Sequence, residues 1–409
     1  MCVMLRRNRD FVLLWTAETV SELGTQVSQV AFPLLVLALT GSPAKAGVVG
    51  FANTLPVALL ALPAGVLVDR VNRRAVMVAC DAVRALGLAA IPIALAAGGL
   101  PYGVIVAVAA LNGGAFVTAY VAERGVLRRI VTREQLPEAV ARNESGWFAA
   151  RIAGPALGGV LFGVGHAVPF VADTISYGAS AAAKLAIRAD FRRLGESAGG
   201  ATAGLRWIWG QPFIRACALL FAAANPLYTG VELLIVLLAK RHGASSAEVG
   251  VMLGIVAAGG LTGGLIAPAL GRRLAPRMVL VGETVVVALV LPLMLVAHAA
   301  VLLGLIFAAG MLMTPVTNSI VVGYRVGLAP EELQGRVQAG ATVISFSAGW
   351  AGPLAVGLLV EHAGETATVL VLCAGAALLA LGAFLTPAFR RPPEPGYTVT
   401  AGSTVSSST

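Results

Sequence analysis

The sequence predicts an all-α membrane protein in which twelve transmembrane helices form two six-helix bundles. Three observations predict this class. First, 58% of the 409 residues are hydrophobic and only 12% are charged, whereas soluble domains carry about 25% charged residues. Second, apolar runs of about 20 residues, each long enough to cross the bilayer as a helix, recur along the whole chain. Third, every second loop between the apolar segments is rich in arginine, whereas the loops between these contain few basic residues. We therefore ascribe the net charge of +9 to membrane topology and expect no nucleic-acid partner.

The apolar segments follow one another with short polar breaks between them. They run over 11–39, 46–68, 75–97, 101–122, 144–163, 167–187, 213–239, 247–270, 277–297, 299–323, 337–360 and 366–388. Arg6, Arg7 and Arg9 precede the first segment, as in a signal peptide. That segment is too long for a signal peptide and lacks a small-residue cleavage site at its end, so it predicts the first spanning helix.

Basic residues mark one side of the membrane. The loops after the even-numbered segments are rich in arginine, whereas the opposite loops hold Lys45, Lys240 and Arg241 and little else that is basic. The arginines are Arg70, Arg73 and Arg74; Arg124, Arg128, Arg129 and Arg133; Arg188, Arg192 and Arg193; Arg272, Arg273 and Arg277; Arg325 and Arg336; Arg390 and Arg391. This is the positive-inside pattern, and it predicts that both termini lie in the cytoplasm.

The two halves of the chain repeat one another. Ala153-Gly154-Pro155 in the fifth segment recurs in the eleventh at an offset of 198 residues, and the basic end of the second segment recurs after the eighth at an offset of 203. The two matches predict duplication of a six-helix unit. We expect an N-terminal bundle over 1–193, a Gly-rich cytoplasmic linker over 194–212, a C-terminal bundle over 213–391 and a disordered tail over 392–409.

Two motifs resemble those of a known family. Gly65-Val-Leu-Val-Asp69-Arg70-Val-Asn-Arg73-Arg74 resembles the signature loop of the major facilitator superfamily, and Gly-Pro-Ala-Leu-Gly-Gly over 154–159 resembles the core of its antiporter motif. The stretch 124–159 is similar to the drug and siderophore exporter branch, which includes macrolide and multidrug efflux pumps. The resemblance implies the major facilitator fold, with the first, fourth, seventh and tenth helices around a central cavity.

The resemblance also implies a gate on the cytoplasmic side. Gly65 lets helix two approach helix eleven, and Asp69 caps the N-terminus of helix eleven near Gly335. The arginines that follow then pair with Asp69 or with Glu123 at the end of helix four. The gate predicted in this way comprises Gly65, Asp69, Arg70, Arg73, Arg74, Glu123 and Arg124. The alternative is that the arginines serve only as topology anchors.

A second implied feature is a flat, kinked face on helix five. The residues of this helix-packing motif are Arg151, Gly154, Pro155, Gly158 and Gly159. The proline bends the helix and the glycines allow a close approach. The resemblance suggests that this face packs against its neighbour and keeps the inward-facing state from leaking. Ordinary close packing is the alternative.

Acidic residues inside apolar segments need a function, because a charge at the bilayer centre costs ~2.5–3.5 kcal/mol on insertion scales. Glu18, Glu22 and Gln26 recur every four residues on one face of helix one, and Glu232 lies on helix seven where Gln29 matches it in the first half. We expect Glu22, helped by Glu18 or Glu232, to exchange a proton in each transport cycle. The alternatives are that Glu18 pairs with a loop arginine and that Glu22 makes a structural hydrogen bond.

Polar residues in the predicted helices are candidates for contact with the substrate. They are Gln26, Asn112, Asp173, Asn225, Thr314 and Asn318. Asp173 and Arg151 are expected to pair with each other or to line the cavity. Asp81 and Arg84 lie one turn apart on helix three and are expected to pair locally.

These features predict a secondary transporter and not an enzyme. No G-x-x-x-x-G-K-[ST] nucleotide loop, metal-ligand cluster or Ser-His-Asp pattern stands out in the sequence, so we expect neither a cofactor nor a metal. The leading hypothesis is a proton-coupled exporter of small amphipathic molecules, such as antibiotics or siderophore-like metabolites, that acts as a monomer in the cell membrane. The alternatives are a proton-coupled nutrient importer of the same fold and a membrane protein that senses a ligand or scrambles lipid.

Overall fold

The structure, a computed structural model, describes residues 5–123, 126–132, 134–189, 203–330, 333–390 and 392–393. Within these ranges all regular elements are helices, which confirms the predicted class. Ten helices of this described part are long and apolar enough to cross a membrane.

The crossings are labelled α1 to α12. The first half contains α1 (Arg9–Thr40), α2 (Pro43–Arg70), α3 (Arg73–Ala96), α4 (Tyr102–Glu123), α5 (Leu136–Val164) and α6 (Val168–Ala186). The second half begins with α7 (Pro212–Arg241), α8 (Ser246–Arg273), α9 (Pro276–Val290, continued by the 3-10 turn Leu291–Leu295) and α10, which is broken into Ala300–Met311 and Thr314–Leu328. It ends with Gln334–Phe346 and Ala351–Leu385, which together supply α11 and α12. Shorter helices are Leu5–Arg7 (3-10), Leu127–Ile130, Ala203–Gly210 and Pro387–Arg390.

The helix Ala351–Leu385 turns at Gly364, whose φ of 82° lies in the left-handed region. Glycine reaches this region without a steric penalty, so residues 334–363 are assigned to α11 and residues 365–385 to α12. The whole stretch Gln334–Leu385 has 52 residues, more than twice the length that one crossing needs. The helix α6 falls outside the ten apolar candidates, yet it packs on α1 and α3 as a member of the bundle. The count of twelve stays a prediction.

Short polar side chains begin several crossings. Asn8 starts α1 by accepting a first-turn backbone N–H at 3.2 Å, and Ser42 and Asn72 cap α2 and α3 in the same way. Ser245 and Glu248 form a capping box at the start of α8. These caps satisfy backbone N–H groups that have no partner within the helix.

The two halves, α1–α6 and α7–α12, meet mainly along two helix pairs. The helix α5 packs on α8, and α2 packs on α11. The two ends of the molecule differ, so they are named here. The terminal end is the one at which α1 begins and α12 ends, and the loop end is the one that holds the α1–α2 and α11–α12 connections.

The halves are joined at the loop end and parted at the terminal end. One hydrophobic cluster at the loop end contains side chains of both halves, such as Val30, Leu234 and Val356. At the terminal end the clusters of the described residues each belong to one half, as Met77 does in the first and Val321 in the second. Among the described residues, apolar burial therefore holds the halves together at the loop end.

Small residues permit the close contact at the loop end. A β-carbon on Gly159 of α5 would lie 2.2 Å from the carbonyl oxygen of Ser246 on α8, and one on Gly47 of α2 would lie 2.5 Å from that of Pro353 on α11. Backbones approach this closely only where side chains are missing. A β-carbon on Gly65 would meet no heavy atom of the described residues within 4 Å. The close approach predicted at Gly65 is therefore not made in this conformation.

The predicted domain boundaries stay predictions. Residues 194–202 of the linker and 394–409 of the tail lie outside the described residues. The remaining part of the linker forms the helix Ala203–Gly210, in which a β-carbon on Gly204 would lie 2.2 Å from the carbonyl oxygen of Arg336. This contact holds the linker helix against the start of α11.

Candidate functional site

Three charged side chains lie in the region between the halves. Glu22 of α1 is half-buried, whereas Arg151 of α5 and Glu232 of α7 are exposed. The positive charge of Arg151 attracts both carboxylates, and that of buried Arg84 also attracts Glu22. Glu22, Arg151 and Glu232 are here named the central triad. Glu232 belongs to the second half and the other two to the first. The triad therefore spans the boundary between the halves.

Two further side chains hold the first-half members of the triad. The amide of Gln26 donates a hydrogen bond of 2.7 Å to Glu22. The guanidinium of Arg151 lies over the ring of Trp147, with its carbon 4.5 Å from the ring centroid. A cation over an indole ring is attracted by the ring quadrupole. The site therefore offers charges of both signs and an aromatic surface.

Matching positions of the two halves each have an exposed polar side chain. Glu232 is the exposed side chain in the otherwise buried run Gly230–Ala239, and Gln29 is the exposed one in Gly24–Phe32. They are 203 residues apart, the offset of the sequence repeat. An exposed polar side chain within a buried run of an inner helix indicates a water-accessible gap. At these matching positions the second half has a carboxylate and the first half has an amide.

Asp173 lies inside the first half and not against Arg151. Its side chain is 0% exposed and accepts hydrogen bonds from the hydroxyls of Ser28, on α1, and Ser176, the latter at 3.0 Å. A β-carbon on Gly24 would lie 2.3 Å from the Asp173 carboxylate. Because its partners are local and buried, Asp173 ties α6 to α1.

Arg84 holds four helices of the first half together. Its Nε donates to Asn112 of α4 at 2.8 Å, and its Nη2 donates to the hydroxyl of Thr25 of α1 at 3.2 Å. Its guanidinium lies 4.0 Å from the ring centroid of Tyr177 on α6, and the hydroxyls of Tyr177 and Thr25 are 2.6 Å apart. Asn112, predicted to contact substrate, is therefore engaged within the half.

Lys184 of α6 forms a buried ion pair that was not predicted. Its Nζ lies 3.0 Å from Asp81 and 2.9 Å from Glu123, and Ser180 donates a further hydrogen bond of 2.7 Å to Asp81. The predicted local pairing of Asp81 with Arg84 is wrong, because each side chain finds a partner on another helix. The sequence does contain a signal for such a pair, because two of the apolar segments have side chains of opposite charge.

Glu18 lies beside this buried ion pair. Its carboxylate accepts a hydrogen bond of 2.8 Å from the amide of Asn143 on α5 and feels the charges of Glu123, Lys184 and Asp81. Glu18 thus lies near the ammonium group that Asp81 and Glu123 bind. The hydrogen-bond partner of Glu18 is an amide in place of the loop arginine that we considered as an alternative.

The predicted gate residues are spread over the terminal end. Arg73 donates to a backbone carbonyl at the end of α4 at 3.4 Å, and Arg74 donates to one just after α6 at 2.5 Å. Glu123 pairs with Lys184, and Arg70 is exposed. Arg73 and Arg74 therefore each bind an element of their own half in this conformation. Arg124 and the side chain of Asp69 lie outside the described residues.

The helix-packing motif has two different neighbours. A β-carbon on Gly154 would lie 2.4 Å from a side chain of α1, and one on Gly158 would lie 2.6 Å from a carbonyl oxygen of α1. Gly159 instead faces α8, where a β-carbon on Gly250 would lie 2.5 Å from the carbonyl oxygen of Pro155. The motif therefore packs α5 within its own half and also against the other half.

The second half holds its polar groups differently. Glu283 of α9 is 3% exposed and accepts hydrogen bonds from Tyr228 at 3.0 Å and from Thr314 at 2.8 Å. Asn225 donates to a backbone carbonyl of α11 at 2.8 Å, whereas Asn318 of α10 is exposed. Of these predicted substrate contacts, Asn318 is the exposed one.

In the described part of the chain no group of three His, Cys, Asp or Glu side chains is placed to hold a metal ion.

Comparison with known proteins gives a family and several relatives. Residues 5–399 match the family model described as transmembrane secretion effector. The multidrug efflux pump Tap of Mycobacterium tuberculosis (strain ATCC 25618 / H37Rv) is 29% identical over 415 residues, with 94% of each chain covered. Tap of Mycolicibacterium fortuitum is 28% identical, over 94% of this chain and 97% of the relative.

Solved structures with the same fold are also transporters. The nucleoside transporter NupG is similar with a TM-score of 0.74 at 12% identity, over 92% of this chain and 100% of that one. A bacterial homologue of the iron transporter ferroportin gives a TM-score of 0.71 at 18% identity, over 94% of this chain and 99% of that one. At these identities the likeness establishes the fold, which is that of the major facilitator superfamily.

Proposed function

This chain belongs to the transmembrane secretion effector family of the major facilitator superfamily, and we propose that it exports small amphipathic molecules, antibiotics among them, in exchange for protons. It is a multi-pass protein of the cell membrane and a secondary transporter. The direction of transport is proposed from the similarity to multidrug efflux pumps, which extends over 94% of the chain. One chain supplies both sides of the central triad, so we propose a monomer as the transport unit, without a nucleic-acid partner.

The orientation follows from the charge of the loops. The arginine-rich loops that follow the even-numbered helices lie at the terminal end. The positive-inside rule then assigns the terminal end, with both chain termini, to the cytoplasm. In this orientation the parted end of the molecule is the one from which an exporter takes up its substrate.

The central triad is the observation that carries the proposal. Its two carboxylates and one guanidinium have a net charge of −1 when all are ionised, and the gap beside them includes the Trp147 ring. A site of this kind attracts a molecule that has a positive charge and an apolar body. We therefore propose amphipathic cations as the preferred substrates.

The same net charge couples transport to protons. A gap that has an uncompensated charge is costly to close, because closure removes water from that charge. Either a proton on Glu22 or a bound cation brings the triad to neutrality, and Arg151 then pairs with Glu232 across the gap. Because the proton and the cation each neutralise the triad, either one permits the switch between states. A transporter that carries the cation in one direction and the proton in the other exchanges the two.

An assay in inverted membrane vesicles tests the proposal. Vesicles that contain the protein are energised to acidify the lumen, and the uptake of a cationic fluorescent dye is followed. We expect accumulation that collapses when nigericin dissipates the pH gradient. Gradient-driven movement in the opposite direction would instead establish the importer, and the absence of any gradient-dependent flux in verified, folded protein would contradict a proton-coupled transporter.

A further inference from the structure

A carboxylate of one half is bound to the start of a helix in the other half. Glu361, near the loop end of α11, accepts a hydrogen bond from the hydroxyl of Ser42 and another of 2.9 Å from the backbone N–H of Ala44. Ser42 is the residue that caps the N-terminus of α2. Glu361 and Ser42 are 319 residues apart in sequence. The contact therefore joins the two halves and not two parts of one half.

The physical chemistry of a helix N-terminus favours this contact. The first backbone N–H groups of α2 lack partners within the helix, and the helix dipole makes this end positive. The hydrogen bonds from Ser42 and Ala44 lower the pKa of Glu361 below its ordinary value. His362 and the side chain of Lys45 are the other charged or titratable groups that act on it, and both favour the ionised carboxylate. The carboxylate is thus charged at neutral pH.

The backbones beside Glu361 are packed as closely as glycine permits. A β-carbon on Gly357 of α11 would lie 2.6 Å from the carbonyl oxygen of Pro43 and 2.9 Å from the α-carbon of Gly47. At the other end of the same pair of helices, a β-carbon on Gly65 would meet none of the described residues within 4 Å. The helices α2 and α11 thus touch at the loop end and diverge toward the terminal end.

We propose that Glu361 is the gating residue of the loop end. It locks α11 to the N-terminus of α2 while the transporter is open at the terminal end, and the lock must break before substrate leaves at the loop end. This role rests on the alternating access of the proposed function. Asp69, at the terminal end of α2, is predicted from its sequence motif to cap the start of α11, so each of the two helices supplies one acid to the start of the other. The two locks cannot close together, because the helices meet at one end at a time.

Distances between spin labels at the loop end test this role. The labels are placed on Gly99→Cys and Ala299→Cys, exposed loop-end positions in opposite halves, in a chain whose four native cysteines are replaced by alanine. In Glu361→Gln we expect the ratio of long to short distances to rise roughly two- to fivefold, since the helix N-terminus loses its negative partner. Glu361→Asp, which keeps the charge, should recover part of the closed population.

A neighbouring acid provides the matched control. Glu365 pairs with Arg241 of the same half at 3.2 Å, so Glu365→Gln should leave the distances unchanged. If Glu361→Gln does not yield folded protein, Ser42→Ala removes one of the two donors and should shift the distances in the same direction. Equal distance distributions in Glu361→Gln, Glu365→Gln and the parent chain would overturn the proposal.

A pH titration of the parent chain supplies a readout that would stay unchanged if Glu361 had only a structural role. Because the pKa of Glu361 is lowered in the closed state, the stabilisation is present above the ordinary carboxylate pKa and is lost as the pH falls through the lowered one. We expect the loop end to open as the pH falls below the ordinary carboxylate range, and Glu361→Gln to lose this acid-dependent step. A step that persists in Glu361→Gln would also overturn the proposal.

These measurements need neither substrate nor a proton gradient. If the distances shift as expected while the vesicle assay shows no gradient-dependent export, the proposed function fails and the lock stands. If export is observed and the distances do not respond to Glu361, the lock fails and the proposed function stands.

Discussion

Lys184 of α6 lies 3.0 Å from Asp81 of α3, and the two side chains are 1% and 2% exposed. The lysine also pairs with Glu123 at the end of α4, so one ammonium group joins three helices of the first half. Buried charges are tolerated only when they are paired and hydrogen-bonded. This cluster and the hydrogen bonds of Arg84 make the first half a unit that can move as a rigid body between the two states.

Removal of the lysine should therefore be costly. Lys184→Met leaves Asp81 without its ammonium partner, and we expect about 3–5 kcal/mol less stability, measured as thermal unfolding of the purified protein in detergent. Lys184→Met combined with Asp81→Leu removes both fully buried charges and should recover part of the loss, since Glu123 still lacks its ammonium partner. A single variant with the stability of the parent chain would show that the pair contributes nothing.

Gly24 should be needed for the contact between α1 and α6. A β-carbon at this position would lie 2.1 Å from the Ser176 hydroxyl and 2.3 Å from the Asp173 carboxylate. We expect Gly24→Ala to destabilise the protein by about 1–3 kcal/mol through overpacking. Gly178→Ala on α6 is the matched control, since a β-carbon there would meet no described heavy atom within 4 Å. Similar melting temperatures for the two variants would contradict this account of the interface.

Gly159 should stabilise the closed loop end. In Gly159→Ala the added methyl group would lie 2.2 Å from the carbonyl oxygen of Ser246 on the other half, so α5 and α8 must separate. We expect the Gly99–Ala299 label distance to lengthen. Gly163→Ala, on the same helix but with open space around it among the described residues, should behave like the parent chain. Equal distance distributions in the two variants would place the contact elsewhere.

Asp69 and Gly65 should act in the opposite sense to Glu361. Position 65 has room for a larger side chain in this conformation, but the predicted approach of α2 to α11 at the terminal end needs glycine there. We therefore expect Gly65→Leu and Asp69→Asn to fold normally and to favour the conformation described here. The readout is a longer distance between labels on Ala75→Cys and Gly271→Cys, both exposed at the terminal end. A shift toward shorter distances would contradict the predicted gate.

The sequence predicted the helical class and the candidate acids because these depend on local features. Apolar runs fix where helices cross, and an acid within such a run is conspicuous wherever it lies. Glu22 and Glu232 were singled out in this way, and the structure brings both near Arg151. Asp173 neither pairs with Arg151 nor lines the cavity, because it is buried and finds hydroxyl partners inside the first half.

The contacts that were missed depend on residues far apart in sequence. Lys184 lies in the last turn of α6, a position that is typical of a lysine at the membrane surface. Its partner Asp81 is on a different helix, α3. The sequence places Glu361 in an outer loop, and its partner Ser42 is 319 residues away in the chain. No helical period or motif relates such positions, because tertiary packing alone brings them together.

Transport of a cationic dye by Glu22→Gln tests the central claim most directly. The protein is reconstituted in liposomes with a cationic dye, and two fluxes are compared: dye-for-dye counterflow without a pH gradient, and uphill accumulation with one. In Glu22→Gln the triad is neutral when empty and has a net charge of +1 when the cationic dye is bound. The loaded state is then the one that is costly to close, so we predict that counterflow and uphill accumulation are both lost. Glu138→Gln, an exposed acid paired only along α5 with Arg142 in the described structure, should retain both. Uphill accumulation in Glu22→Gln at the rate of the parent chain would contradict the assignment of proton coupling to the central triad.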